Sequence, residues 1–171
     1  MKFKKEIENI LEATGTWIRD FIDLFYPVCK RYMPLQFFRY GVTGVANLFF
    51  DWGLYFFIYN FILRQQMLHL GVFTLSSHIA SFAIKFPIVL LSGFLLQKYV
   101  TFSESDIRGH RQLLRYLIVY GVNILINYFG LKLFVDVMHV FPSISNMIVS
   151  VITVLVSYFL QKSYTFKISN S

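Results

Sequence analysis

Apolar side chains along this chain come in four long runs separated by short polar stretches, and the N-terminus has a different rhythm. The runs cover about residues 40–63, 77–96, 114–135 and 144–160. Each is near the ~20 residues that a helix needs to cross a hydrocarbon layer of ~30 Å, the last being the shortest. Their apolar character is continuous rather than alternating. That predicts helices instead of barrel strands, because backbone in lipid must satisfy its own hydrogen bonds. In residues 1–26, Phe3, Ile7, Ile10, Leu11, Trp17, Ile18, Phe21, Ile22 and Phe25 recur near a 3.6-residue period, with charged residues on the other face. This predicts an amphipathic helix lying on a membrane or on a partner. Its charges nearly balance, so apolar burial must hold it there. Pro27 and Pro34 bound a short connector to the first run.

Composition agrees with a membrane protein. Of 171 residues, 56% are hydrophobic and only 15% are charged, against about 25% charged in ordinary globular chains. A soluble domain of this size has too little interior for so much apolar side chain. The net charge of +7 is scattered between the runs, which fits membrane flanks and argues against nucleic-acid binding. Assigning the flanks alternately to the two sides puts 13 of the 16 basic residues on one side, including Lys98, Arg108, Arg111 and Lys167. Arg64 and Lys132 fall on the other side, and Lys85 lies inside a run. The basic side should be cytoplasmic, with both termini facing in. The N-terminus mixes Lys2, Lys4 and Lys5 with Glu6, Glu8 and Glu12 before any apolar core, so no removable signal peptide is expected. Cys29 is the single cysteine, which excludes an intrachain disulfide.

A repeat divides the chain. The segment FLLQKYVTF at 94–102 returns as YFLQKSYTF at 158–166, and Arg39-Tyr40 with Asn47 and Asp51 returns as Arg115-Tyr116 with Asn123 and Asn127. The offset is 76 at the starts and 64 at the endings, because the first copy has a longer outer loop. This predicts an internal duplication of a two-helix unit, repeat 1 at 37–102 and repeat 2 at 113–166. The fold expected is therefore all-α: four transmembrane helices from two such units in 37–171, preceded by the amphipathic helix and connector in 1–36. Copies with an even number of spans keep one orientation, so a pseudo-twofold axis along the membrane normal is their natural relation. Arg39, Lys98, Arg115 and Lys162 then ring one mouth. Two readings stand side by side: anchoring, with lysines snorkelling among an aromatic belt, and a site for an anionic lipid headgroup.

Two charges fall inside spans. Asp51 is roughly 16 Å along a helix from Tyr40, and Lys85 roughly 12 Å from Ser77. Each charge costs on the order of 2.5–3.5 kcal/mol there, so each is the other's expected partner. Repeat 2 has Asn127 and Val149 at the matching positions, and both charges are missing from the same copy. That is how a pair behaves, since removing one member strands the other. Polar stripes are expected on the other span faces: His78, Ser81, Lys85 and Ser92 in the second, and Asn146, Ser150, Thr153, Ser157 and Gln161 in the fourth. Those residues would line the bundle interior or simply allow close packing. Pro87 should bend the second span and free the carbonyl of Ala83. No metal-ligand spacing, hydrolytic triad or Gly-rich phosphate loop is present in the sequence, Thr14-Gly15-Thr16 being too short, so neither an enzyme nor a cofactor is expected.

The stretch FFRYGVTGVANLFFDWGLYFF followed by FLLQKYVTF, and the second pair LLRYLIVYGVNILINYF and YFLQKSYTF, resembles the GtrA-like family over about residues 37–167. Members usually carry Asn before the basic residue of the ending, where this chain has Gln97 and Gln161. The resemblance implies a small protein of the bacterial cytoplasmic membrane that moves a polyprenyl-phosphate-linked sugar, such as undecaprenyl-phosphate glucose, in cell-surface polysaccharide synthesis or teichoic-acid glycosylation. A membrane glycosyltransferase is the implied partner, beside membrane lipids and a second copy in a homodimer. In that reading Arg39, Lys98, Arg115 and Lys162 capture the lipid phosphate. The headgroup path runs over Asn47, Asp51, Lys85, Gln97, Asn123, Asn127 and Gln161, with the asparagines bonding sugar hydroxyls. The alternative is a non-transporting scaffold that recruits or regulates the glycosyltransferase through residues 1–26. A small cation exporter is a third reading, against which Lys85 would repel the substrate.

Overall fold

The computed structural model describes residues 2–70, 73–105 and 109–167. Arg108 lies outside them, and so do the side chains of Lys2, Phe3, Lys4 and His78. The chain forms two compact units, Met1–Ser103 and Glu104–Ser171. Among the described residues, four helices are long and apolar enough to cross a membrane: Leu35–Ile62, Ile79–Thr101, His110–Val137 and Ile144–Thr165.

In the first unit, helix α1 (Lys2–Asp23) and a short α2 (Tyr26–Cys29) precede α3 (Leu35–Phe57). Pro34 stands in extended backbone as the N-cap of α3, which sets where that helix begins. Two three-residue strands, β1 (Leu68–Leu70) and β2 (Phe73–Leu75), pair antiparallel with Leu68 opposite Leu75. They lie in the connection between the first and second spans, where the polar stretch predicts only a loop. Helix α4 (Ser77–Leu96) then returns, continuing through Pro87. Side-chain contacts pair Thr43 with Thr101, Asn47 with Ser92 and Asp51 with Lys85, so α3 and α4 run antiparallel. In the second unit, α5 (Gly109–Leu131) and α6 (Pro142–Leu160) pair in the same way, through Arg115 with Tyr164, Asn123 with Ser157 and Asn127 with Thr153.

Every span ends in a turn of π-helix: Ile58–Ile62, Gln97–Thr101, Lys132–Val137 and Gln161–Thr165. The wider i→i+5 turn is uncommon and tends to mark functional positions. It carries the second, third and fourth spans beyond the ends expected from hydropathy, and brings the fourth to 22 residues. The starts of the first and third spans also lie earlier than expected, at Leu35 and Gly109. Their first turns carry Arg39 and Arg111, which hydropathy discounts although they do not interrupt a helix.

The face that α4 turns inward recurs every four residues: Ser77, Ser81, Lys85, Val89, Gly93, Gln97 and Thr101 are all buried or half-buried. In the second unit the same row is Ser145, Val149, Thr153, Ser157, Gln161 and Thr165. Such i±4 rows are the ridges along which helices commonly pack. This corrects the stripe expected for the fourth span. Thr153, Ser157 and Gln161 belong to it, but Asn146 and Ser150 are exposed, and the inward positions are Ser145 and Val149. A step of three drawn through polar residue types led off the packing ridge.

Candidate functional site

The first hairpin carries a column of polar groups along its axis. At one end Thr43 and Thr101 hydroxyls lie 3.2 Å apart, both almost fully buried. The Gln97 amide reaches Thr43 Oγ1 at 3.4 Å. One turn further, the Ser92 hydroxyl donates to Asn47 Oδ1 at 2.6 Å and the Asn47 amide lies 3.4 Å from the Val89 carbonyl. One turn beyond that, Lys85 Nζ donates to both oxygens of Asp51, at 2.7 and 2.6 Å. The same ammonium sits 5.2 Å from the centre of the Tyr55 ring and 5.8 Å from that of Phe82. The two charges expected to pair inside the spans do so. With side-chain exposures of 12% for Lys85 and 24% for Asp51, the pair is largely removed from its surroundings. Its aromatic neighbours add cation–π attraction where no water competes.

The second hairpin has the same column without the charges. Asn123 donates to Ser157 Oγ at 2.9 Å, and Asn127 to Thr153 Oγ1 at 3.1 Å and to the Asn123 carbonyl at 2.9 Å. Val149, at the position matching Lys85, packs against Gly130, where an added Cβ would lie only 2.9 Å from the valine methyls. An amide and a tight apolar contact therefore fill the space that the ion pair fills in the first unit.

The two Gln-Lys motifs are the π turns themselves. Phe102 N–H donates to the Gln97 carbonyl and Phe166 N–H to the Gln161 carbonyl, both at 2.8 Å. Gln97 and Gln161 are turned into their hairpins at 6% and 5% exposure, while the lysines beside them point outward. The four basic residues assigned to a phosphate each have a partner inside the chain. Arg39 grips the Asp23 carboxylate with two donors, at 2.8 and 2.5 Å. Lys98 meets the Tyr99 hydroxyl at 3.0 Å and lies over its ring. Arg115 donates to the Tyr164 carbonyl at 2.7 Å and lies over that ring. Lys162 stands 5.9 Å from the centre of the Tyr158 ring. Arg39 and Lys98 belong to the first unit, Arg115 and Lys162 to the second.

Helix α1 packs into the first unit through Leu11, Ile18 and the buried Ile22, and through the row Gly15, Arg19 and Asp23. Gly15 abuts Tyr99 so closely that a Cβ would come within 2.6 Å of the Tyr99 Cβ and 2.8 Å of its carbonyl oxygen. Arg19 donates to Ser103 at 2.9 Å, and Asp23 receives Arg39. Sequence reading missed this row, and also Thr43 and Thr101. A glycine inside a helix costs about 1 kcal/mol against alanine and usually has a packing reason, which was the available signal for Gly15.

A family model described as GtrA/DPMS, transmembrane domain, matches residues 39–166. The chain belongs to that family. The match covers both hairpins and leaves α1 outside. No curated protein and no solved structure matches the chain. GtrA/DPMS transmembrane domains are associated with the handling of sugars linked to carrier lipids, and their family is generally one of non-catalytic membrane proteins. The four spans and the family together make this a multi-pass membrane protein.

Proposed function

We propose that this protein carries the headgroup of a polyprenyl-phosphate-linked sugar across the bacterial cytoplasmic membrane, with both termini on the cytoplasmic side. The observation that carries the reading is the polar column of each hairpin, which runs from the basic end toward the middle of the spans. A sugar phosphate cannot cross hydrocarbon bare, because its hydroxyls and charge need partners. The column supplies them in order. Each unit offers its own basic pair to the phosphate, Arg39 and Lys98 in the first and Arg115 and Lys162 in the second. Asn47, Asn123 and Asn127 exchange their internal bonds for sugar hydroxyls, next to Gln97 and Gln161. Midway, Lys85 leaves Asp51 for the phosphate. The two units act as copies of one duplicated two-helix unit. The polyprenyl tail stays in apolar surroundings throughout and does not enter the polar column.

The competing reading is a scaffold that recruits a glycosyltransferase without moving anything. One observation favours it: Lys85 is already held by two carboxylate oxygens and two rings, as a purely structural cation would be. The test is reconstitution of the purified protein in liposomes containing a polyprenyl-phosphate-linked sugar. Accessibility of the sugar to a membrane-impermeant reagent is then followed over time. Protein-dependent exposure of the inner pool is the expected result. If folded protein gives none with several sugars, the scaffold reading replaces transport. Deleting residues 1–26 should then abolish partner capture, and Lys85 should be dispensable.

A further inference from the structure

Between α1, α3 and α4 the first unit holds a cleft of about 290 Å³. Leu11, Thr14, Gly15 and Ile18 form one wall, all from α1, which lies outside the matched family domain. The facing wall is α3 and α4, where Ala46, Phe50, Leu95 and Leu96 are apolar and Asn47 and Ser92 belong to the polar column. Asn47 and Ser92 turn their polar groups on each other, so the surface left to the cleft is almost entirely hydrocarbon. Nothing equivalent precedes the second unit, where only residues 104–108 stand before α5.

The geometry points to this cleft as a seat for the polyprenyl chain of the carrier lipid, an inference that rests on the proposed function for its choice of lipid. Two observations argue for this occupant. The cleft is cut into the flank of two membrane-spanning helices, so the surrounding medium is hydrocarbon, and a chain fills it without desolvating any polar group. Its mouth is also cationic: Tyr99 lines it, and Lys98 Nζ lies 3.0 Å from the Tyr99 hydroxyl. Arg39 stands seven residues before Ala46 on α3, roughly 10 Å nearer the helix start. A phosphate held by Lys98, and by Arg39 once it releases Asp23, places the first isoprene units beside Ala46 and Leu96. The sugar then begins its path on the column itself, at Asn47, the residue after Ala46. Helix α1 acts as a side wall that holds the tail in register while the headgroup moves.

The experiment uses the full-length protein in liposomes and a polyprenyl phosphate bearing a photoreactive diazirine near its head. Labelled peptides are mapped by mass spectrometry. Labelling should concentrate on residues 11–18 and 92–100, and unlabelled polyprenyl phosphate should suppress it where an equal excess of phosphatidylglycerol does not. Ala46→Phe and Thr14→Trp, which fill the cleft from opposite walls, should each reduce labelling about tenfold, the effect of displacing roughly two methylenes' worth of contact. Equal suppression by phosphatidylglycerol would make the cleft an ordinary acyl-chain groove and overturn the assignment. Labelling spread over the lipid-facing Phe49, Phe56 and Phe82, or indifferent to both substitutions, would overturn it too. Flipping measured in the same vesicles separates the two claims. Flipping without cleft labelling removes the tail seat and leaves transport standing. Cleft labelling without flipping keeps the seat and removes transport.

Discussion

Asp51 and Lys85 meet inside the first hairpin at 2.6 Å, and the second hairpin shows what the same position looks like uncharged. Asn127 and Val149 stand in their places, with Thr153 bonding the asparagine and Gly130 receiving the valine. The second hairpin thus shows a similar setting with neither charge present. Lys85→Val alone strands a carboxylate in a span and should cost about 3–5 kcal/mol, the effect of breaking a buried pair. Asp51→Asn with Lys85→Val removes both charges and should recover most of that loss. Thermal unfolding in detergent measures both, and a double variant no more stable than the single one would mean that the pair is not what compensates these charges. This contact was legible in the sequence because both charges vanish from one copy together. The hydroxyl contact of Thr43 with Thr101 was not, because threonine in a span gives no hydropathy signal and Val119 replaces Thr43 in the second copy.

At the scale of elements, the four spans could be read from apolar run length, but not their ends. The last turns of the second and fourth spans, QKYVT and QKSYT, are polar enough to end a hydropathy run, yet they continue as π turns. The repeated motif that looked like a membrane anchor is therefore also the device that closes each hairpin, with the glutamine inside and the lysine outside. Helix α1 illustrates a different limit. Its period predicted a helix, but the partner of its docking row lies eighty or more residues away in the sequence, at Tyr99 and Ser103. On the opposite side Trp17, Phe21 and Phe25 stack in succession and remain exposed. Gly15→Leu should push α1 off Tyr99, because the obstacle is backbone carbonyl as well as side chain. Hydrogen exchange of residues 11–23 should accelerate by about tenfold or more, as expected when a docked helix loses its packing. Unchanged protection would mean that α1 is held by other contacts. Asp23→Asn should loosen the same helix more weakly, since Arg39 would keep one neutral acceptor in place of a charged pair.

For the whole molecule, each unit holds a helical hairpin with a polar column along it, and among the described residues the first adds a charge pair, the flanking helices α1 and α2 and the β1–β2 pair. That asymmetry is in the sequence: Asp51 and Lys85 have no charged counterparts, and only five residues stand between Ser103, which ends the first unit, and α5. The proposed sidedness rests on the distribution of basic residues. In a Cys29→Ser background, an impermeant maleimide added outside intact cells should label Gln66→Cys and leave Ser163→Cys unlabelled until the membrane is opened. The reverse pattern would invert the proposed orientation.

The central claim is that Lys85 lies on the path of a lipid-linked headgroup. Flipping by wild type, Lys85→Met and the Asp51→Asn/Lys85→Met pair, compared in the same liposomes, tests it most directly. Wild type should flip robustly and both variants should not, with the double variant expected to stay folded. A double variant that flips as fast as wild type would contradict it, and would make the ion pair a feature of helix packing alone.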